Sequence, residues 1–450
     1  MTAGHERDSY TAATKTSSLV DSAWSKPVYL PVMLALVSFV AALLLCAQAA
    51  SAQAPQYDLL LKGGRVIDPK NDIDDLRDVA IRGNRIAAVS LDIPAASARK
   101  VIDAAGLYVT PGLVDIHVHV FTQSAPGTVY DAENSVIPDH ATFRTAVTTV
   151  VDAGTTGWRS FPDLRRRIID RSKTRVLAML NIVGTGMMNN EVEQNPVDME
   201  PERTAAVAKQ HADVIVGIKS AHWRQPTFVS VERAVEAGKL ANIPVMVDFG
   251  SFLPERPYQQ MVLELLRPGD ISTHFYRVPA PLLDETENML PYLATARKRG
   301  VKFDVGHGGG SFYFKQAEPL VKQGFWPDSI STDLHGGSIN GAMIDMLNVM
   351  SKFLALGVPL KEVIRESTTN PATQVKRPQL GQIAPGAEAD VAVLRLDTGN
   401  FGFVDVRGGR IAGSQRLVCE MTIRAGQIVF DFNGRAGVPW RKAPIVYPSK

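Results

Sequence analysis

The chain has 450 residues, with 48 Lys plus Arg against 46 Asp plus Glu and a formal net charge of +2. The apolar share, 45%, is ample for a large core, and the interspersed charges exclude a nucleic-acid footprint. Only Cys46 and Cys419 occur, which is neither a disulfide framework nor a thiolate metal site, so any metal must be held by nitrogen and oxygen.

In chain order, the first feature is an apolar run from 28 to 47 followed by Ala50-Ser51-Ala52. This predicts a signal peptide over 1–52 cleaved between Ala52 and Gln53, and hence a periplasmic or secreted protein. Two alternatives stay open. The run is long enough to remain as a membrane anchor, and Leu43-Leu44-Leu45-Cys46 resembles a degenerate lipobox.

From Tyr57 onward short β segments follow. Residues 58–68 read as strand, Gly63-Gly64 turn, strand; 79–89 repeat the design around Gly83-Asn84; 101–109 add another pair. Together they predict a small antiparallel β unit over 57–110. From residue 111 short apolar strands alternate with helical stretches such as 163–169 and 229–240, the signature of parallel βα units. The first strand lies in the run 110–120, and seven more are expected at 147–153, 175–182, 214–219, 244–249, 270–275, 301–306 and 329–334. Eight units with this spacing predict an α/β fold, a (β/α)8 TIM barrel over 111–379. An open doubly wound sheet is disfavoured, because no Gly-x-Gly-x-x-Gly follows the first strand. After a helix at 359–366, strands at 389–394 and 421–430 return. Residues 380–435 are thus expected to join 57–110 in a small β-sandwich domain.

The first barrel strand carries Asp115, His117 and His119 at alternate positions, which predicts that all three share one face. Two imidazoles near the C-terminal end of a strand form half a site for a divalent cation; the plain alternative is chance in a β-branched strand. In a barrel, chemistry gathers at the C-terminal strand ends, and the other ends carry Lys219, Asp248, His274, His307, Asp333 and His335. Lys219 reads either as a snorkelling or ion-paired lysine or as a reactive amine, and Asp333 either as a site residue or as a helix cap. His140, His211 and His222 fall elsewhere and read as solvated or loop residues.

These residues resemble the amidohydrolase superfamily of metal-dependent hydrolases. The resemblance rests on Pro111-Gly112-Leu113-Val114-Asp115-Ile116-His117-Val118-His119 and on the stretch from Leu380 to Val391. The runs Phe303 to Gly308 and Asp333-Leu334-His335 narrow it to the deacetylase-like branch, related to dihydroorotases and D-aminoacylases. The resemblance implies two divalent metal ions, of which zinc is the expected one. His117, His119 and Asp333 would hold the first, a CO2-carboxylated Lys219 would bridge, and His274 would hold the second. A hydroxide between the two cations would attack the substrate, with Asp333 relaying its proton. At one position the chain departs from the pattern: the fifth strand ends in Asp248, where the family carries a histidine ligand. Either Asp248 takes over as ligand, or the second metal is weak or missing. His307 and His335 are expected on the substrate side, orienting it or stabilising an oxyanion.

The function so implied is a hydrolase cleaving an amide or ester bond in a small acylated compound, best described as a deacylase or deacetylase. The alternatives are a cyclic amidase of dihydroorotase type and a metal-depleted, non-catalytic barrel. A small molecule is the expected partner, with no nucleic acid, a membrane only through an uncleaved leader, and a homo-oligomer left open.

Overall fold

A computed structural model of the chain describes residues 55–121, 135–188 and 191–444; the leader over 1–52 and its cleavage site lie outside them.

Two sheets organise the described residues. Five strands precede the first histidine pair: β1 (Tyr57–Asp68), β2 (Ile73–Arg82), β3 (Arg85–Ser90), β4 (Ala98–Asp103) and β5 (Tyr108–Pro111). The Gly83-Asn84 turn joins β2 to β3 as expected. The Gly63-Gly64 pair does not make a turn. β1 runs straight through it, and the pairing with β2 shifts register between Leu61 and Gly64. The reason is steric as well as conformational. Gly63 has φ +76°, and a Cβ on Gly64 would lie 2.6 Å from Val109 Cγ2, so the glycines let a bulged strand press against β5. The unit is also mixed rather than antiparallel, because β4 and β5 both pair with β1 in parallel.

The second sheet is parallel and seven-stranded, with β6 (Leu113–Val118), β7 (Val147–Gly157), β8 (Arg175–Asn181), β9 (Ile215–Ser220), β10 (Val245–Val247), β11 (Ile271–Ser272) and β12 (Lys302–Phe303) in chain order. The eighth expected strand is reduced to two parallel bridges, Asp304 with Ser329 and Val118 with Leu334. Segment 329–334 therefore touches both edges of the sheet and curls it. Inside the curl pack Val114, Ile116, Val151, Met179, Met246 and Ile271. Helices such as Pro201–Gln210 and Val229–Ala241 cover the outside.

The first strand does not keep strict alternation. Its pairing with β7 is irregular between Asp115 and Val118, so Val114 and Ile116 lie inside, while Asp115 leaves the face that His117 and His119 occupy. The buried Asp115 carboxylate accepts hydrogen bonds from the Thr332 amide (3.1 Å) and the Thr332 hydroxyl, tying β6 to segment 329–334.

The last strands, β13 (Val391–Val404), β14 (Arg410–Arg424) and β15 (Gln427–Asp431), form an antiparallel meander that joins the first sheet through β13 and β5. The two runs thus combine into one eight-stranded mixed sheet. The expected strand at 421–430 is a hairpin, turning at Ala425-Gly426 with φ of +49° and +77°. Helix Met346–Ala355 lies against β14, where the Leu417 amide donates to Ser351 Oγ at 3.0 Å.

Burial lifts the Asp115 carboxyl from 3.8 to about 7 against the pull of its Thr332 bonds. A folded pKa above the unfolded one stabilises fully only below the unfolded value, and the gain is lost as pH rises through the folded one. Urea titrations should therefore show wild-type stability declining between about pH 4 and pH 7 relative to Asp115→Asn, which keeps an acceptor but cannot ionise. Parallel curves for the two proteins would refute the assignment.

Candidate metal centre

Each imidazole at the rim of the parallel sheet is gripped by its outer nitrogen. His117 Nδ1 lies 2.8 Å from Thr273 Oγ1, and that hydroxyl donates to Asp304 Oδ2 at 2.7 Å. Thr273 can therefore only accept from the ring, which leaves His117 Nε2 as a lone pair facing inward. His119 repeats the arrangement with Thr155 at 3.0 Å, whose hydroxyl donates to Asp152 at 2.7 Å. His274 Nδ1 donates to the Gly306 carbonyl at 2.6 Å. Metal-ligating histidines are held in this way, because the outer bond sets both tautomer and ring direction.

The inner nitrogens meet a carboxylate. Asp333 Oδ1 is 3.2 Å from His119 Nε2 and 3.6 Å from His117 Nε2. His117, His119 and Asp333 each offer one ligand atom, and all three atoms lie within 4.8 Å of one another. A nitrogen-and-oxygen set of this kind suits a divalent cation. Burial raises the Asp333 carboxyl, but His119 and the other imidazoles around it outweigh burial and hold the group below the usual range. Gly308 is needed beside it: φ is +51°, and a Cβ there would sit 2.2 Å from Asp333 Oδ2.

Lys219, buried on β9, points at the same place, its Nζ 2.9 Å from His117 Nε2 and 3.6 Å from Met246 Sδ. Burial lowers its pKa, opposed by the more distant Asp248 and Asp333. Gly154 makes room for it, since a Cβ at that position, φ +83°, would lie 2.5 Å from Lys219 Cβ.

Asp248 follows β10 and is buried. Its Oδ1 accepts from the Gly250 amide at 3.0 Å and lies 3.4 Å from Arg277 Nη1; its Oδ2 lies 3.7 Å from His274 Nε2. Burial again works upward, yet His274, His222 and Arg277 win and hold the carboxyl well below the ordinary carboxylate range.

Sequence reasoning missed His222. Its Nε2 is 3.4 Å from Asp248 Oδ2, and its Nδ1 is 2.7 Å from Glu193 Oε2. Burial opposes protonation, but the Glu193 hydrogen bond and charge lift this imidazole to about 9. The available signal was its place, three residues past Lys219 at the same rim. His222, His274 and Asp333 all adopt left-handed backbone, with φ of +54°, +56° and +50°. That conformation costs a non-glycine residue about 1–3 kcal/mol, and such strain concentrates at functional sites.

The two expected substrate-side histidines separate. His335 Nδ1 accepts from the Gly337 amide at 3.1 Å, leaving Nε2 3.9 Å from Asp333 Oδ2 on a partly exposed ring. His307 is fully buried, stacked on Phe312 with ring centroids 4.7 Å apart. Its Nδ1 donates to the Gly308 carbonyl (2.9 Å) and its Nε2 accepts from Lys352 Nζ (2.7 Å). With both nitrogens engaged, His307 shapes the Gly306–Gly310 loop and does not face the cluster. A cavity of about 440 Å³, lined by Asp115, His140, Arg144, Thr332 and Asp345 among others, includes none of the clustered imidazoles. Chemistry, not volume, marks the site.

The chain is similar to known proteins over most of its length. The amidohydrolase family profile matches residues 326–430. A deacetylase from Agrobacterium fabrum is 33% identical over 340 residues, covering 74% of this chain and 81% of that protein. Among solved structures, an adenine deaminase is similar at 29% identity and a TM-score of 0.75, covering 83% of this chain and 100% of its own. A dihydroorotase follows at 27% identity and 0.70, covering 83% and 99%. The chain belongs to the amidohydrolase superfamily and is a hydrolase acting on C–N bonds.

Proposed function

We propose that this protein is a metal-dependent deacylase that removes an acyl group from a small acylated compound. The observation that carries the reading is the convergence of His117, His119 and Asp333 on one point, with the buried Lys219 amine beside it. The deacetylase named among the relatives supports the substrate class.

His117, His119 and Asp333 would hold one cation, and His274 and Asp248 would contribute to a second. Divalent cations bound there supply a water acidified toward neutral pH and a Lewis acid for the scissile carbonyl. The ionised Asp333 carboxylate takes the proton of the attacking water and hands it to the leaving nitrogen. His335, with Nε2 turned to Asp333, is suited to donate to the developing oxyanion. Lys219 is the residue whose chemistry must change. As an amine it occupies the His117 lone pair that a cation needs. Burial keeps it prone to be neutral and so able to attack CO2, forming an N–C bond while its proton leaves to solvent. The carbamate formed is an oxygen donor in place of a cation.

The finer architecture that accompanies this reading is a (β/α)8 barrel over 111–379 with a β-sandwich from 57–110 and 380–435. A cleaved 1–52 leader would put the reaction in the periplasm or outside the cell, which N-terminal sequencing of the mature protein would check. A cyclic amidase reading is favoured by the likeness to a dihydroorotase. Release of free acid against formation of a ring-opened product separates the two.

Stripping metal with a chelator should abolish hydrolysis of an N-acyl substrate, and added Zn2+ should restore it; activity that survives metal-free preparation would end the proposal. Asp333→Asn should lower kcat roughly 10²–10⁴-fold, the range of a lost acid–base group. Lys219→Ala should be inactive and partly rescued by short carboxylic acids, whereas full activity without them would rule out a bridging role.

A further inference from the structure

We propose that Lys352 is a positioning residue for the reaction: through the His307 ring it fixes the loop 306–310, and that loop holds Asp333 and His274 in place. This rests on the deacylase reading, in which those two residues work, and extends it to a lysine on helix Met346–Ala355.

The need for an anchor is written in the sequence. Gly306-His307-Gly308-Gly309-Gly310 carries one side chain in five residues, and glycine loses more backbone freedom on ordering than any other residue. Two of these glycines nevertheless touch the centre. The Gly306 carbonyl accepts the Nδ1 proton of His274 at 2.6 Å, and a Cβ on Gly306 would lie 2.4 Å from Thr273 Oγ1. Gly308 backs the carboxylate, where a Cβ would lie 2.2 Å from Asp333 Oδ2. Both have left-handed backbone, φ +47° and +51°. Their amides donate to Ser331 Oγ at 2.9 Å and to the Thr332 carbonyl at 2.8 Å. Those bonds fasten the loop to segment 329–334 and leave its other side to His307.

His307 is fully buried, and its Nδ1 donates to the Gly308 carbonyl at 2.9 Å, so its Nε2 has to accept. Lys352 Nζ supplies the donor at 2.7 Å and gives a second N–H to the Ala342 carbonyl at 2.6 Å. Two acceptors without formal charge match the two N–H bonds of a neutral amine, the form that burial favours by lowering the pKa of Lys352. Phe312 covers the ring, stacked at 13°, with Lys352 Nζ 5.5 Å from its own centroid. A methionine would fill the place of Lys352 without burying an amine. It would also leave Nε2 a buried acceptor with no donor, which costs free energy. The ring then relaxes by changing tautomer or by turning, and either move releases the Gly308 carbonyl.

Histidine-selective 15N NMR of the chelator-stripped full chain tests this without an activity assay. Wild type should show His274 and His307 each locked with the proton on Nδ1. Lys352→Met should turn both into tautomer mixtures and leave His119, held by Thr155, as it was; a lysine that only fills space would not move His274. In the Zn2+-loaded full chain the same change should lower kcat on an N-acyl substrate roughly 10–100-fold, as loss of an outer partner does, with KM nearly unchanged. His307→Phe, which keeps the stack and removes both nitrogens, should show the same loss and carries the test if Lys352→Met does not fold. Combining the two changes should add no further loss, because they break one chain of contacts. An unchanged His274 signal in Lys352→Met, wild-type kcat in either single variant, or additive losses in the double would overturn the inference. A wild type inactive on N-acyl substrates would remove the deacylase reading, and the His274 and His307 signals would still decide this one.

Discussion

The centre depends on hydroxyls and carboxylates that never face it. Asp304 accepts from Thr273, Ser329 and Ser331, at 2.7, 2.6 and 2.7 Å. One buried carboxylate thereby joins the residue after β11, the end of β12 and segment 329–334, and through Thr273 it also fixes the tautomer of His117. Burial raises its pKa, and the three hydroxyls work against that rise. The bonds that curl the sheet and the bonds that aim the ligands are in part the same bonds. In a dry interior each such group must be satisfied or it costs free energy, so ligand direction comes with folding.

Charge at the rim follows the same economy. Asp248 and Asp333 are buried yet held ionised, because imidazoles and Arg277 stand around them. His117 is kept neutral above all by burial. A site with two ionised carboxylates and inward lone pairs is unbalanced on its own and is matched by divalent cations. The left-handed backbone at His222, His274 and Asp333 adds conformational cost at the same place, which packing elsewhere must offset.

Much of this was legible in the sequence. The alternation of β-branched runs with helical stretches located the parallel strands to within a few residues, and the rim position of Lys219, Asp248, His274 and Asp333 followed from strand ends. What was not legible depends on pairing. Nothing in the run 113–119 announces the irregularity after Asp115, which exists because β6 must match β7 on one side and segment 329–334 on the other. Gly63-Gly64 has the composition of a hairpin turn and serves a bulge instead, because β5 packs on it. His222 was passed over because it lies beyond its strand, where period-two reasoning stops. His307 was given to the substrate because the lysine that occupies it, Lys352, comes from a helix far along the chain.

That lysine has a wider meaning. Ser351, which accepts from the backbone of β14, is its immediate neighbour, and Lys352 itself reaches across to His307, whose ring bonds the carbonyl of Gly308 against Asp333. The terminal sheet is thus bolted to the loop that shapes the Asp333 carboxylate by a single helical turn. Burial brings Lys352 down to about 7, so the bolt is seated dry. The tail strands are part of the tooling of the rim, and an enzyme of this design cannot shed or swap them as if they were trim.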